Sequence, residues 1–319
     1  LSNKDILSKE KLKNLPIGVM ATLLGTLTLS NVFAMLGFNS LRHLAVNIGV
    51  VIILAGFMKL FLHPKQVFTE MDDTVLGSIY PTFCMSMMLM AAYYVKYNFT
   101  LGKSLWLFAV SLNVIVLIIF TYNNLIKKFE INKFLPPYFV PYVGIIVAVI
   151  TSTAMKAPVI TKVIFYFSFI AYFIILPFMI YRLATKPVAD LPYPTLCIMA
   201  APPSLCVVAY LTLFKEANVY LTLFVYLIVI LCCIYMYTRL PKILRMKFTP
   251  SFAGITFPLA ISTLATFKVS ALMNDIGQAT FSNILRELGS LQLILASAGI
   301  LFVIYNFIKL LIDSFKIEN

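Results

Sequence analysis

The sequence predicts an all-α integral membrane protein: ten transmembrane helices built as five repeated helical hairpins, odd helices forming an inner pore ring and even helices an outer ring. Three observations predict it. The 319-residue chain is 61% hydrophobic and only 12% charged, with a mean hydropathy of +0.95, whereas soluble domains carry about 25% charged residues. Its apolar residues gather into ten runs close to the ~20 residues that cross a bilayer, and runs this long and continuous span as helices. Finally, helix-breaking and hydroxyl residues concentrate in alternate runs.

Residues 1–14 are polar and basic, a short tail leading into a run too long for a signal-peptide core. The spans follow at 15–36, 42–63, 77–97, 103–126, 135–155, 159–183, 192–213, 217–240, 250–271 and 285–312, with a second tail at 313–319. The loops between them are short, so 1–319 form a single ten-helix transmembrane domain.

Lysine and arginine set the orientation. Of 25, 17 fall on the side that holds both termini, among them Lys133, Arg182, Lys186, Arg239, Lys242, Arg245 and Lys247. The positive-inside rule puts that side, and both termini, in the cytoplasm of a multi-pass protein of the cell (inner or plasma) membrane. The net charge of +13 is therefore topological rather than a nucleic-acid footprint.

Pro16, Pro81, Pro141, Pro202 and Pro258 fall in spans one, three, five, seven and nine, separated by 65, 60, 61 and 56 residues. A period of about 60 residues is one hairpin. The odd spans hold 19 Ser and Thr in 108 residues, the even spans 9 in 123. Such residues belong where protein or a water-filled cavity can satisfy them, which is why the odd helices are assigned to the inside.

The ninth span is the most informative. Phe257 stands directly before Pro258, whose missing N–H and bulky ring predict a bend or break. The neighbours one turn away, Ala253, Gly254 and Ala260, are all small, leaving a large ring at a kink with space around it. The candidate pore-lining polar residues on the odd helices are Thr22, Thr26, Ser86, Thr151, Ser204, Thr256 and Thr263, with Ser262 and Thr266. Any one of them has a bland alternative, a bond to its own helix carbonyl.

Other chemistry is excluded. All twelve acids lie in loops, tails or near span ends, whereas proton-coupled transporters and membrane enzymes keep acids or histidines deep in the bilayer. His43 and His63 sit at span ends without metal-ligand spacing, and the five cysteines form no C-x-x-C pair. We expect no enzyme activity, cofactor or metal. The methionine run around Ser86 is expected to be adaptable packing.

On the residues Phe252-Ala253-Gly254-Ile255-Thr256-Phe257-Pro258-Leu259 the chain resembles the tellurite-resistance and C4-dicarboxylate transporter family, which includes the slow-type anion channel of plant guard cells. Ala200-Ala201-Pro202-Pro203-Ser204, Pro136-Pro137-Tyr138-Phe139-Val140-Pro141-Tyr142-Val143-Gly144 and Pro16-Ile17-Gly18 support the resemblance. It implies a homotrimer, each protomer with its own pore, and a pore blocked by Phe257. Many relatives carry a tryptophan or another bulky residue where this chain has Phe252. The long soluble tails of the plant channels do not appear in the sequence, which implies a bacterial inner-membrane member. The expected function is an anion-selective channel closed by a phenylalanine gate, whose partners are small inorganic or organic anions such as chloride and the lipid bilayer. The alternative is a secondary carrier for a small anion: a C4-dicarboxylate, sulfite or a tellurite oxyanion.

Overall fold

The computed structural model describes residues 12–316; most of the N-terminal tail and the last three residues lie outside them. Among the described residues every element is helical. Among the described residues nine helices are long and apolar enough to cross a membrane: Gly18–Met35, Asn39–Leu62, Thr74–Tyr94, Phe99–Ile126, Pro158–Thr185, Tyr193–Leu213, Val219–Ile243, Pro250–Asp275 and Ala279–Asp313. The segment Pro136–Ile150 supplies a shorter tenth. The ordinal names first to tenth span follow this order along the chain.

The fifth span departs most from expectation. Instead of one helix over 135–155 it alternates 3-10 turns at Pro136–Tyr138, Gly144–Ile146 and Ser152–Ala154 with α-helical Phe139–Val143 and Val147–Ile150. Three prolines within six residues remove the amide donors that a regular α-helix would need there. Between spans two and three the helix Pro64–Asp72 buries only Val67 and Met71. It is too short to span, so hydropathy alone passes over it.

Several helices begin or end outside the expected bounds. The fourth starts at Phe99 because the Asn98 side chain accepts from Leu101 N–H at 3.0 Å, an N-cap that Gly102 and Lys103 obscure in the sequence. Asn218 caps the eighth in the same way. The tenth starts at Ala279 and runs to Lys316, taking in part of the expected tail. Spans one and two, and nine and ten, are joined at Gly37 (φ 96) and Gly277 (φ 80), where a left-handed residue ends a helix. In both turns the next residue donates back, Phe38 to Phe33 O and Gln278 to Met273 O, each at 2.9 Å.

Burial separates alternate helices. The most apolar windows of spans one, three, seven and nine are 67–78% buried, whereas those of the even spans are 22–39% buried. The odd spans touch in cyclic order: first to third, third to fifth, fifth to seventh, seventh to ninth, and ninth back to first. Each even span packs on the odd span before it. Lipid chains are as apolar as leucine, so such helices are held by close packing and polar contacts rather than by expulsion of water. The ninth span has both. Beside the first span, Gly25 lies directly against Thr256. Farther along, Ser270 and Ser282 each donate to the other's carbonyl at 2.8 Å, and Thr266 donates to Gln292 Oε1 at 2.6 Å.

Pro16, Pro81, Pro202 and Pro258 sit at or just before helix beginnings, whereas Pro141 is the middle residue of the short helix Phe139–Val143. Pro81 opens an α-helix, Pro202 follows Ala201 at the start of another, and Pro16 precedes Gly18. In the ninth span the break falls at Ile255, where 3-10 Pro250–Ile255 gives way to α-helical Thr256–Asp275. Pro258 is the third residue of that α-helix, where an amide would lack an intrahelical partner anyway. The discontinuity expected at Pro258 is thus displaced toward the start of the span.

Candidate functional site

A cavity of about 40 Å³ lies where the odd spans meet, and all five contribute to its wall. The first supplies Ala21 and Leu24, the third Thr82 and Met85, the fifth Phe139 and Gly144, the seventh Ala201 and Pro202, and the ninth Phe257 and Pro258. No even span reaches it. Of the side chains lining it only Thr82 is polar, and its hydroxyl is already donated to Ile79 O at 2.7 Å. A space of this size admits a few waters at most, and water needs polar partners to stay. The cavity is therefore a small apolar space.

Phe257 occupies the second position of the α-helix that starts at Thr256. It is 8% exposed and shares the cavity wall with Phe139. Phe252 differs: it is fully buried and packs on Phe248 (5.0 Å between centroids) and Phe302 (6.3 Å). Thr256 anchors the turn that carries Phe257 by donating to Ala253 O at 2.8 Å and to Ala21 O of the first span at 3.2 Å.

Toward the end where the odd spans begin, a cavity of about 1000 Å³ opens, and Ile79 lines both spaces. Its wall includes residues at the starts of odd spans, Gly18, Leu135, Pro192 and Pro250. Helix N-termini carry partial positive charge, a setting that favours anions. Five ionisable side chains also line it: Glu70, Asp73, Lys133, Arg182 and Lys186. Glu70 is held by Lys59, whose buried ammonium lies 2.8 Å from Oε1 and also donates to Leu15 O at 2.8 Å. Tyr80 donates to the same carboxylate at 2.6 Å. Asp73 caps the short helix Thr74–Gly77 and lies 3.4 Å from Lys133 Nζ.

Of the five periodic prolines, Pro202 and Pro258 line the small cavity and Pro16 the large one; Pro81 and Pro141 line neither. Thr22, Thr26, Ser86, Thr151, Ser204, Thr256 and Thr263, with Ser262 and Thr266, also line neither. Each hydroxyl lies 2.6–3.2 Å from a carbonyl of its own span. Thr151 also accepts from the buried Trp106 Nε1 at 2.9 Å, joining the fourth span to the fifth. Sequence reasoning missed Thr82, Phe139 and Ala201, although each lies within two residues of a periodic proline, the signal that would have found them. It also missed Arg182 as a cavity residue, having counted it only toward topology.

The family model described as voltage-dependent anion channel matches residues 14–309. No curated protein is a significant match to the chain.

Proposed function

Since the chain belongs to the voltage-dependent anion channel family, whose model covers nearly all of it, we propose that it is a passive anion channel whose conduction path runs from the large cavity through the small one and is closed at Phe257. The observation that carries this reading is the convergence of all five odd spans, and of no even span, on one small apolar space with the Phe257 ring in its wall. An apolar constriction closes a path by filling it and by expelling water, and it opens when the obstructing group moves or is cut away. Its walls carry no charge, so selection against cations falls to the mouths, where basic residues gather.

On this reading the five hairpins surround one pore per protomer, and the charge bias puts the large cavity on the cytoplasmic side of the cell membrane. A homotrimer follows from the family resemblance. The test is single-channel recording from pure protein in a planar bilayer. Unitary steps whose reversal potential follows the chloride gradient support a channel. Saturable flux without unitary steps would favour a carrier for a dicarboxylate or oxyanion, and a reversal potential that follows potassium would overturn the anion reading.

A further inference from the structure

Among the described residues, the charges that line the large cavity do not cancel. Glu70 is neutralised by Lys59 and Asp73 by Lys133. Arg182 and Lys186 line the same wall and have no carboxylate partner among the described residues. Arg182 is only 2% exposed. Its guanidinium ties two loops together: Nε donates to Ile131 O (2.9 Å), Nη1 to Lys186 O (2.8 Å), and Nη2 to Asn132 O (2.9 Å) and Pro187 O (3.3 Å). A guanidinium has five N–H donors, so one, on Nη1, is unspent. Carbonyls solvate the group but leave its full positive charge, and a charge set in a low-dielectric wall acts across the adjoining space more strongly than one in bulk water.

Arg182 and Lys186 line the same wall of this cavity, so two like charges border one space. Such an arrangement costs energy unless an anion shares the space. We propose that Arg182 and Lys186 form a loading site for one small anion, a halide, nitrate or single carboxylate group, held at the mouth of the path before it meets the apolar constriction. The proposal rests on the anion-path reading and adds to it a defined binding site. Arg182 supplies a fixed charge and one uncommitted N–H, while Lys186, exposed on its own loop, supplies a second charge.

Lys186→Cys keeps the main-chain carbonyl that Arg182 needs, and all five native cysteines are buried, so an impermeant thiol reagent marks this position alone. The recording is made in the Phe257→Ala background with the reagent on the side of the large cavity. At 0.1 M KCl, Lys186→Cys should lower chloride conductance about two- to threefold, the change in local anion concentration made by a unit charge ~7 Å away in water. A cationic methanethiosulfonate should restore it, an anionic one should lower it further, and the differences should vanish at 1 M, where the Debye length falls to ~3 Å. Chloride-35 NMR of the protein in detergent provides a second readout: line broadening should fall in Lys186→Cys and return with the cationic label. Conductance or broadening that ignores the sign of the label overturns the site. If even Phe257→Ala passes no current, the channel reading fails, and the line broadening alone then decides whether an anion binds here.

Discussion

Gly25 and Thr256 stand so close that a methyl group added at Gly25 would lie 2.7 Å from both Cβ and Oγ1 of Thr256 and 2.8 Å from its carbonyl carbon. Main chain cannot swing aside as a flexible side-chain tip can. This approach fixes the first span against the residue where the ninth turns α-helical, one position before Phe257. Gly25→Ala is expected to destabilise the protein by about 1–3 kcal/mol, as overpacking does in soluble cores, and to shift the resting position of Phe257. Thermal unfolding in detergent would record the first effect and basal anion leak the second; a variant unchanged in both would show that the contact relaxes freely.

Phe257→Ala should leave the protein folded and raise anion current severalfold or more, because it removes a ring from the wall of the constriction. Phe252→Ala is the control: it truncates a ring buried among Phe248 and Phe302. The expected cost is about 3–5 kcal/mol, with no new path for ions. Recordings of both variants, matched for folded protein in the membrane, separate the two roles. A folded Phe257→Ala no more conductive than the parent would rule out the gate.

Thr151→Val removes the acceptor for the buried Trp106 indole while keeping the side-chain shape. An unsatisfied buried donor costs about 1–3 kcal/mol, so thermal unfolding should fall in midpoint, and Trp106, the only tryptophan in the chain, should report the change in its fluorescence.

Lys59 and Glu70 form a largely buried pair linking the second span to the helix Pro64–Asp72. Lys59→Met should be destabilising by about 3–5 kcal/mol because it strands the carboxylate, and adding Glu70→Gln should recover part of that loss. Additive losses in the double-mutant cycle would show that the two charges are not coupled.

Cysteine placed at Asn319 should resist impermeant thiol reagents in intact cells, while cysteine at Asn98 should react. The reverse pattern would invert the assignment of sides drawn from the 17 to 8 division of the 25 basic residues.

The helical class and the odd–even contrast were legible in the sequence because they are averages over long stretches. The place of Phe257 in the wall of the small cavity was legible for a different reason: a large ring beside a proline, with alanine and glycine around it, has few uses. The hydroxyl residues line neither cavity, and a Thr or Ser in a helix has a carbonyl of its own within reach. The contrast that singled them out reflects where a helix is buried, not where it faces a cavity. Arg182 was hidden because its acceptors, in the loops at 131–132 and 186–187, carry no mark in a one-dimensional pattern. The shift of the break from Pro258 to Ile255 likewise depends on where the preceding 3-10 segment ends, which propensities do not fix.

The alternation of buried and exposed spans also bears on how the chain enters the membrane during synthesis. Each long odd span is less apolar than the even span that follows it, and insertion favours the more apolar segment. The hydroxyl-rich first, third, seventh and ninth spans are the weaker inserters, and the fifth is short and broken as well. The natural unit of insertion is then a pair, with the greasier helix retaining its predecessor in the bilayer until later pairs arrive to cover it. Truncating synthesis after an odd span should leave that span poorly integrated, whereas stopping after an even one should leave both anchored.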